Sequence, residues 1–123
     1  MRIFVVKAFD RFRRREKLSN ALLRHTIDRV EAGLVDADLG SGLIKQRVAR
    51  KGQGKSSGYR TLIAVRNGQR AVYLLGFAKK DRANLRPNEL FDLRVLATLW
   101  LDLSDKQINQ AIAEGDLQEV LDE

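Results

Sequence analysis

Tyr59-Arg60-Thr61-Leu62-Ile63-Ala64-Val65-Arg66-Asn67-Gly68-Gln69-Arg70-Ala71-Val72-Tyr73-Leu74-Leu75-Gly76-Phe77-Ala78-Lys79 is the stretch on which the fold turns. Two runs rich in β-branched and aromatic residues flank Asn67-Gly68, a dipeptide suited to the two positive φ angles of a type I′ turn. The pattern predicts antiparallel strands over 59–66 and 69–79, with Arg66 facing Gln69 and Arg60 approaching Phe77. An arginine inside a strand needs a partner or an open face. Asp81 is one candidate partner for Arg60. A phosphate is the other, since the guanidinium fork binds it in bidentate fashion. Lys79 and Lys80 follow the second strand, and three cations gathered at one strand end repel one another unless an anion joins them.

Working outward, Arg2–Phe9 reads as a strand, and a basic run from Arg11 to Lys17 follows it. Ser19 or Asn20 caps a predicted helix to about Ala32, with Leu23, Ile27, Val30 and Leu34 on one face and Gly33 as its stop. Residues 35–42 read as a loop, and Leu43–Arg50 as a half-buried strand with Lys45 and Arg47 on its exposed side. Beyond the hairpin, Pro87 suits the first turn of a helix. Residues 90–103 hold ten apolar residues in fourteen, more than one stripe, so this helix belongs to the core or to an interface with a partner, a second copy included. Ser104-Asp105-Lys106-Gln107 forms a capping box for a short helix to about Ala113, and Leu117–Leu121 reads as a last turn. The order β-α-β-β-β-α-α makes an α+β fold: an antiparallel sheet, N-terminal helices on one face, a C-terminal helical extension, and another face left partly open and basic.

Composition narrows the chemistry. The 123 residues include no cysteine and one histidine, His25, which excludes disulfides and thiolate zinc sites and gives no basis for a metal or cofactor. No apolar run approaches the ~18 residues of a membrane span. Ile3–Val6 is too short for a signal-peptide core of ~7–15, so Met1 is expected to begin the mature chain. The net charge of +7 divides into +14 over residues 1–86 and −7 over residues 87–123, a basic body with an acidic tail, which steers phosphates toward the body.

The loop Arg50-Lys51-Gly52-Gln53-Gly54-Lys55-Ser56-Ser57-Gly58 contains Gly-Lys-Ser but is not a P-loop. The motif needs glycine where Ala49 stands, and it opens a helix where a strand follows here. The surviving alternatives are a phosphate-meeting loop and a soluble hairpin connection. His25 lies off the apolar stripe of its helix and reads as a surface residue. Asp102, Asp105, Glu114 and Asp116 read as helix and cap charge. What remains is chemistry done by cations. RNA carries its own nucleophile, the 2′-hydroxyl, and Arg and Lys can position the strand and stabilise developing charge.

Gly58-Tyr59-Arg60 opening a strand, the Asn-Gly hairpin, the run from Tyr73 to Leu85, and Leu103-Ser104-Asp105 in an acidic tail together resemble the RelE/HigB-like toxins of bacterial toxin–antitoxin systems. The resemblance implies a toxin core over 1–86 with an acidic helical extension over 87–123 packed on the same domain. It further implies a cytoplasmic, metal-independent endoribonuclease that cuts mRNA, usually in the ribosomal A site, and a cognate antitoxin with a helix-turn-helix domain. By position, Arg60 matches the arginine that contacts the scissile phosphate, and Lys79 and Lys80 match the basic pair ending the last strand. Lys45, Arg47, Arg50, Lys51 and Lys55 are the choices for RNA binding before Arg60, and Arg82 and Arg86 extend that set. Some members carry a proton-handling tyrosine where Arg86 stands here, so the general base is unassigned. Two alternatives stay open: a non-catalytic RNA- or ribosome-binding regulator, and a gyrase-targeting toxin of the same superfamily. The helix over 90–103 is also a possible homodimer surface.

Overall fold

Alternation along each strand sends side chains to opposite faces of the sheet, and both faces here are apolar enough to be covered. In the computed structural model the described residues are 1–50 and 54–122. The elements are β1 (Arg2–Val6), α1 (Lys7–Arg15), α2 (Asn20–Glu31), β2 (Ala37–Gly40), β3 (Leu43–Arg50), β4 (Gly54–Arg66), β5 (Arg70–Ala78), α3 (Pro87–Asp102), α4 (Asp105–Ala113) and β6 (Leu117–Glu119). The six strands form one sheet in the order β2-β3-β4-β5-β1-β6.

The basic run after β1 is helical. Phe9 and Phe12 of α1, three residues apart, face the sheet and are buried, while Asp10 accepts from Arg13 Nε at 2.9 Å and Arg14 Nε at 2.8 Å on the other side. α1 lies so close to β5 that a Cβ on Gly76 would sit 2.4 Å from the Phe12 ring. α2 begins at the expected cap, Ser19 Oγ accepting from the Leu22 N–H at 3.1 Å. Leu23, Ile27 and Val30 are buried as expected, but Leu34 falls beyond the helix end and is exposed.

Helices pack on both faces, not one. Ile3, Val5, Ile44, Val48, Tyr59, Ile63 and Tyr73 join Phe9, Phe12, Leu23 and Ile27 in the core under α1 and α2. Phe4, Leu43, Leu62, Ala64, Val72, Leu74 and Phe77 join Leu93, Ala97, Leu101, Ile108 and Leu117 in a second core under α3 and α4. The sheet is also mixed rather than wholly antiparallel, because β1 runs parallel to β5. A strand feeding both cores suits a parallel, doubly covered position.

Three further expectations are corrected. The 35–42 loop contains β2, paired with β3. It is drawn in by Gln46, whose buried amide donates to Leu34 O at 2.8 Å and accepts from the Asp36 N–H at 3.1 Å. The expected last turn at 117–121 is instead β6, antiparallel to β1, which covers what would otherwise be an open edge. In the hairpin, Arg66 pairs with Arg70 rather than Gln69. Only Gly68 of the turn dipeptide has positive φ, +79°, the requirement of a type II turn rather than type I′. Arg60 does lie opposite Phe77, but through two one-residue shifts in the same direction, the longer turn and a bulge opposite Leu62/Ile63; the Arg66–Gln69 register carried on unbroken would set Arg60 opposite Leu75. The bulge turns both Leu74 and Leu75 toward α3.

Candidate nucleic-acid interface

The second face is closed at one end and cationic at the other. Rows of cross-strand partners run across it. Leu43, Ala64, Val72 and Phe4 form one row, which lies in the core with α3. The next is Lys45, Leu62 and Leu75, and the last is Arg47, Arg60 and Phe77. Lys45 and Arg60 are half-buried and Arg47 is exposed.

Lys79 continues the ladder, its N–H donating to Gly58 O at 3.0 Å, and the chain then turns through Asp81 N–H to Ala78 O at 3.0 Å. This places exposed Lys79 and Lys80 on a corner just past Phe77, the partner of Arg60. Neither lysine side chain has an ion-pair or hydrogen-bond partner among the described residues. The structure therefore gathers Lys45, Arg47, Arg60, Lys79 and Lys80 at one end of one face. Lys51 lies outside the described residues, as do the side chains of Arg50 and Lys55.

Two carboxylates hold Arg47, Arg82 and Arg86. Asp36 accepts from the Arg47 backbone N–H at 2.7 Å and its guanidinium at 3.1 Å. Glu89, in the first turn of α3, accepts on both carboxylate oxygens from the one Arg82 Nη1, at 2.7 and 2.9 Å. It also accepts from the Arg86 backbone N–H at 3.0 Å and Arg86 Nε at 3.3 Å. These bonds, the Arg86 backbone N–H foremost and Arg82 next, hold the Glu89 carboxyl down at about 2. The Arg82 guanidinium carbon lies 4.5 Å from the centre of the Phe77 ring.

Neither tyrosine reaches this face. Tyr59 donates to Glu16 Oε1 at 3.0 Å and Tyr73 to Leu23 O at 2.7 Å, both on the α1/α2 side, and burial raises the Tyr73 hydroxyl well above its usual range. His25 is exposed on α2, across the sheet from the cations. No cluster of three potential metal ligands occurs among the described residues.

Phe77, Asp36 and Glu89 were not singled out from sequence. Phe77 carried a signal as the register partner of Arg60, and Glu89 as the acid in the first turn after Pro87. Asp36 carried none, because its role depends on β2 folding against β3.

A mixed sheet between two helical layers, with cations gathered at one end of one face, defines a small α+β protein. A family model described as the RelE toxin of the RelE/RelB toxin–antitoxin system matches residues 1–120, and the chain belongs to that family. It is the toxin of a toxin–antitoxin pair, and membership implies an antitoxin partner. A search of curated proteins returns no match. Among the described residues no helix is long and apolar enough to cross a membrane.

Proposed function

We propose that this toxin is a metal-independent mRNA endonuclease acting on the ribosome in the cytoplasm. The observation that carries the reading is the convergence of Arg47 and Arg60 as cross-strand neighbours with Lys79 and Lys80 at the adjoining strand end. Arg60 contacts the scissile phosphate and, with Lys79 and Lys80, stabilises the charge that develops as the 2′-oxygen attacks. Lys45, Arg47, Arg50, Lys51, Lys55 and Arg86 follow the strand on either side. Fixed cations aimed at developing charge are worth roughly 10²–10³ each in rate, and DNA, lacking the 2′-hydroxyl, is not a substrate. Induced expression should arrest growth and create new 5′ ends within codons of cellular mRNA. Arg60→Ala with Lys79→Ala should abolish both; full toxicity of that double variant would refute the site.

The placement of both tyrosines on the α1/α2 side favours one second reading, a ribosome- or RNA-binding toxin without cleavage. It predicts the same growth arrest with intact mRNA.

For the antitoxin, proposed to carry a helix-turn-helix domain, the contact face is the outer stripe of α3: Phe91, Val95 and Leu99, all more than half exposed. Their i, i+4, i+8 spacing is that of helix-in-groove recognition. One such stripe is small beside the ~800 Å² per partner of a stable interface, which favours an antitoxin that also contacts other surfaces over a homodimer through 90–103. Sedimentation of the toxin alone should show a monomer, and Val95→Glu should weaken antitoxin binding; a Val95-dependent dimer would reverse the assignment.

A further inference from the structure

The cations of the open face are not equivalent. Lys79 and Lys80 have no counter-charge among the described residues, whereas Arg82 gives its Nη1 to both oxygens of Glu89. A guanidinium so neutralised gains little from a phosphate. It is also oriented: Phe77 backs one side, at 4.5 Å, and Glu89, itself fixed by Arg86 at the start of α3, takes one edge. The side chain keeps 30% of its surface exposed. Phe77 meanwhile is the cross-strand partner of Arg60. A held, planar, charge-paired group beside the arginine assigned to the phosphate is a stacking surface, and unpaired nucleobases stack on guanidinium planes.

We propose that the face of Arg82 turned away from Phe77 is a nucleobase-stacking subsite, which seats the base next to the phosphate held by Arg60. Phe77 and Glu89 are its positioning residues. The proposal rests on the RNA-binding reading above but not on cleavage.

The test separates stacking from phosphate contact by salt dependence. The probe is a 2′-O-methylated oligonucleotide, which presents bases and phosphates but no free nucleophile, offered as a free strand and in the A site of programmed ribosomes. Each phosphate contact on a single strand contributes about 0.7 to the slope of log affinity against log salt. Lys79→Ala should lower the slope by about that amount. Arg82→Ala should weaken binding about 5- to 100-fold, the range for loss of a stacking partner, with the slope unchanged. Arg82→Lys, which keeps the charge and loses the plane, should not restore affinity. On an abasic version of the strand, wild type and Arg82→Ala should bind alike. A slope that falls in Arg82→Ala, rescue by Arg82→Lys, or an undiminished loss on the abasic strand would overturn the subsite. Failure of wild type to bind either form of the probe would instead remove the RNA reading, and the subsite with it. Thermal melts of the Arg82 variants confirm that the comparison is between folded proteins.

Discussion

The two ends of the β4–β5 hairpin both carry arginines, and they use them differently. At the turn end, Arg70 is buried and donates to the carbonyls of Trp100 at 2.9 Å and Leu103 at 2.6 Å, and to Asp105 at 3.1 Å. Arg66 donates to Leu101 O at 2.9 Å and to Asp102 at 2.8 Å. These guanidiniums satisfy the orphan carbonyls at the end of α3 and oppose the negative end of its dipole. At the other end, Lys79 and Lys80 have no such partners among the described residues. Basic charge at the turn is structural, and the two lysines at the open end are available to a ligand. The same helix serves both: its C-terminus engages the turn-end arginines, and its N-terminus, through Glu89, holds Arg82 beside Phe77.

The largest effect should come from removing that helix. A chain ending at Arg86 loses Leu93, Ala97, Leu101, Ile108 and Leu117 from the second core and leaves Phe4 and Val72 uncovered. It should not fold, as judged by loss of a cooperative melt. A stable truncated monomer would reduce α3 to an appendage and break the comparison.

Next in size is Arg70→Ala. It strands the Trp100 and Leu103 carbonyls at a half-closed site and should cost about 3 kcal/mol, read as a lower urea midpoint. RNA affinity per folded molecule should hardly change. Lys79→Ala should do the reverse, with an unchanged midpoint and weaker RNA binding. If both variants lost stability equally, the division between the two ends would be wrong.

Glu89 should reveal itself in acid. Its pKa falls from 4.5 in the unfolded chain to about 2 in the folded one. The unfolded state therefore binds the proton first as pH drops, so the stabilisation is complete above about 4.5 and disappears toward 2. Glu89→Gln should flatten that part of the stability profile, measured by denaturant midpoints from pH 5 to 2. A wild-type profile that the substitution leaves unaltered would mean that the Arg82 and Arg86 bonds do not persist in solution.

The smallest effect belongs to Arg66→Ala. Its ion pair with Asp102 is well exposed on both sides, and such pairs contribute about 1 kcal/mol or less. A much larger loss would show that the Leu101 carbonyl bond dominates the junction.

Local chemistry was legible from the chain. Strand alternation, the turn at Asn67-Gly68, the Ser19 and Ser104 caps, and the gathering of Arg60 with Lys79 and Lys80 all follow from neighbours in sequence. The one-residue error at Arg66 shows the limit: a three-residue connection and a bulge, each moving the register by one residue in the same direction, look from sequence like an unbroken two-residue hairpin. β2 and β6 were missed because short strands owe their pairing to what lies beside them, Gln46 in one case and the edge of β1 in the other. Among the site residues, chain position alone set Arg47 and Arg82 beside Lys79 and Lys80 as candidates for RNA. What separates them is the partners brought in by folding: Glu89 for Arg82 and Asp36 for Arg47. Propensity and periodicity act over a few residues and determined the elements. Whether a cation is already neutralised depends on charges and carbonyls that only the packed structure sets beside it.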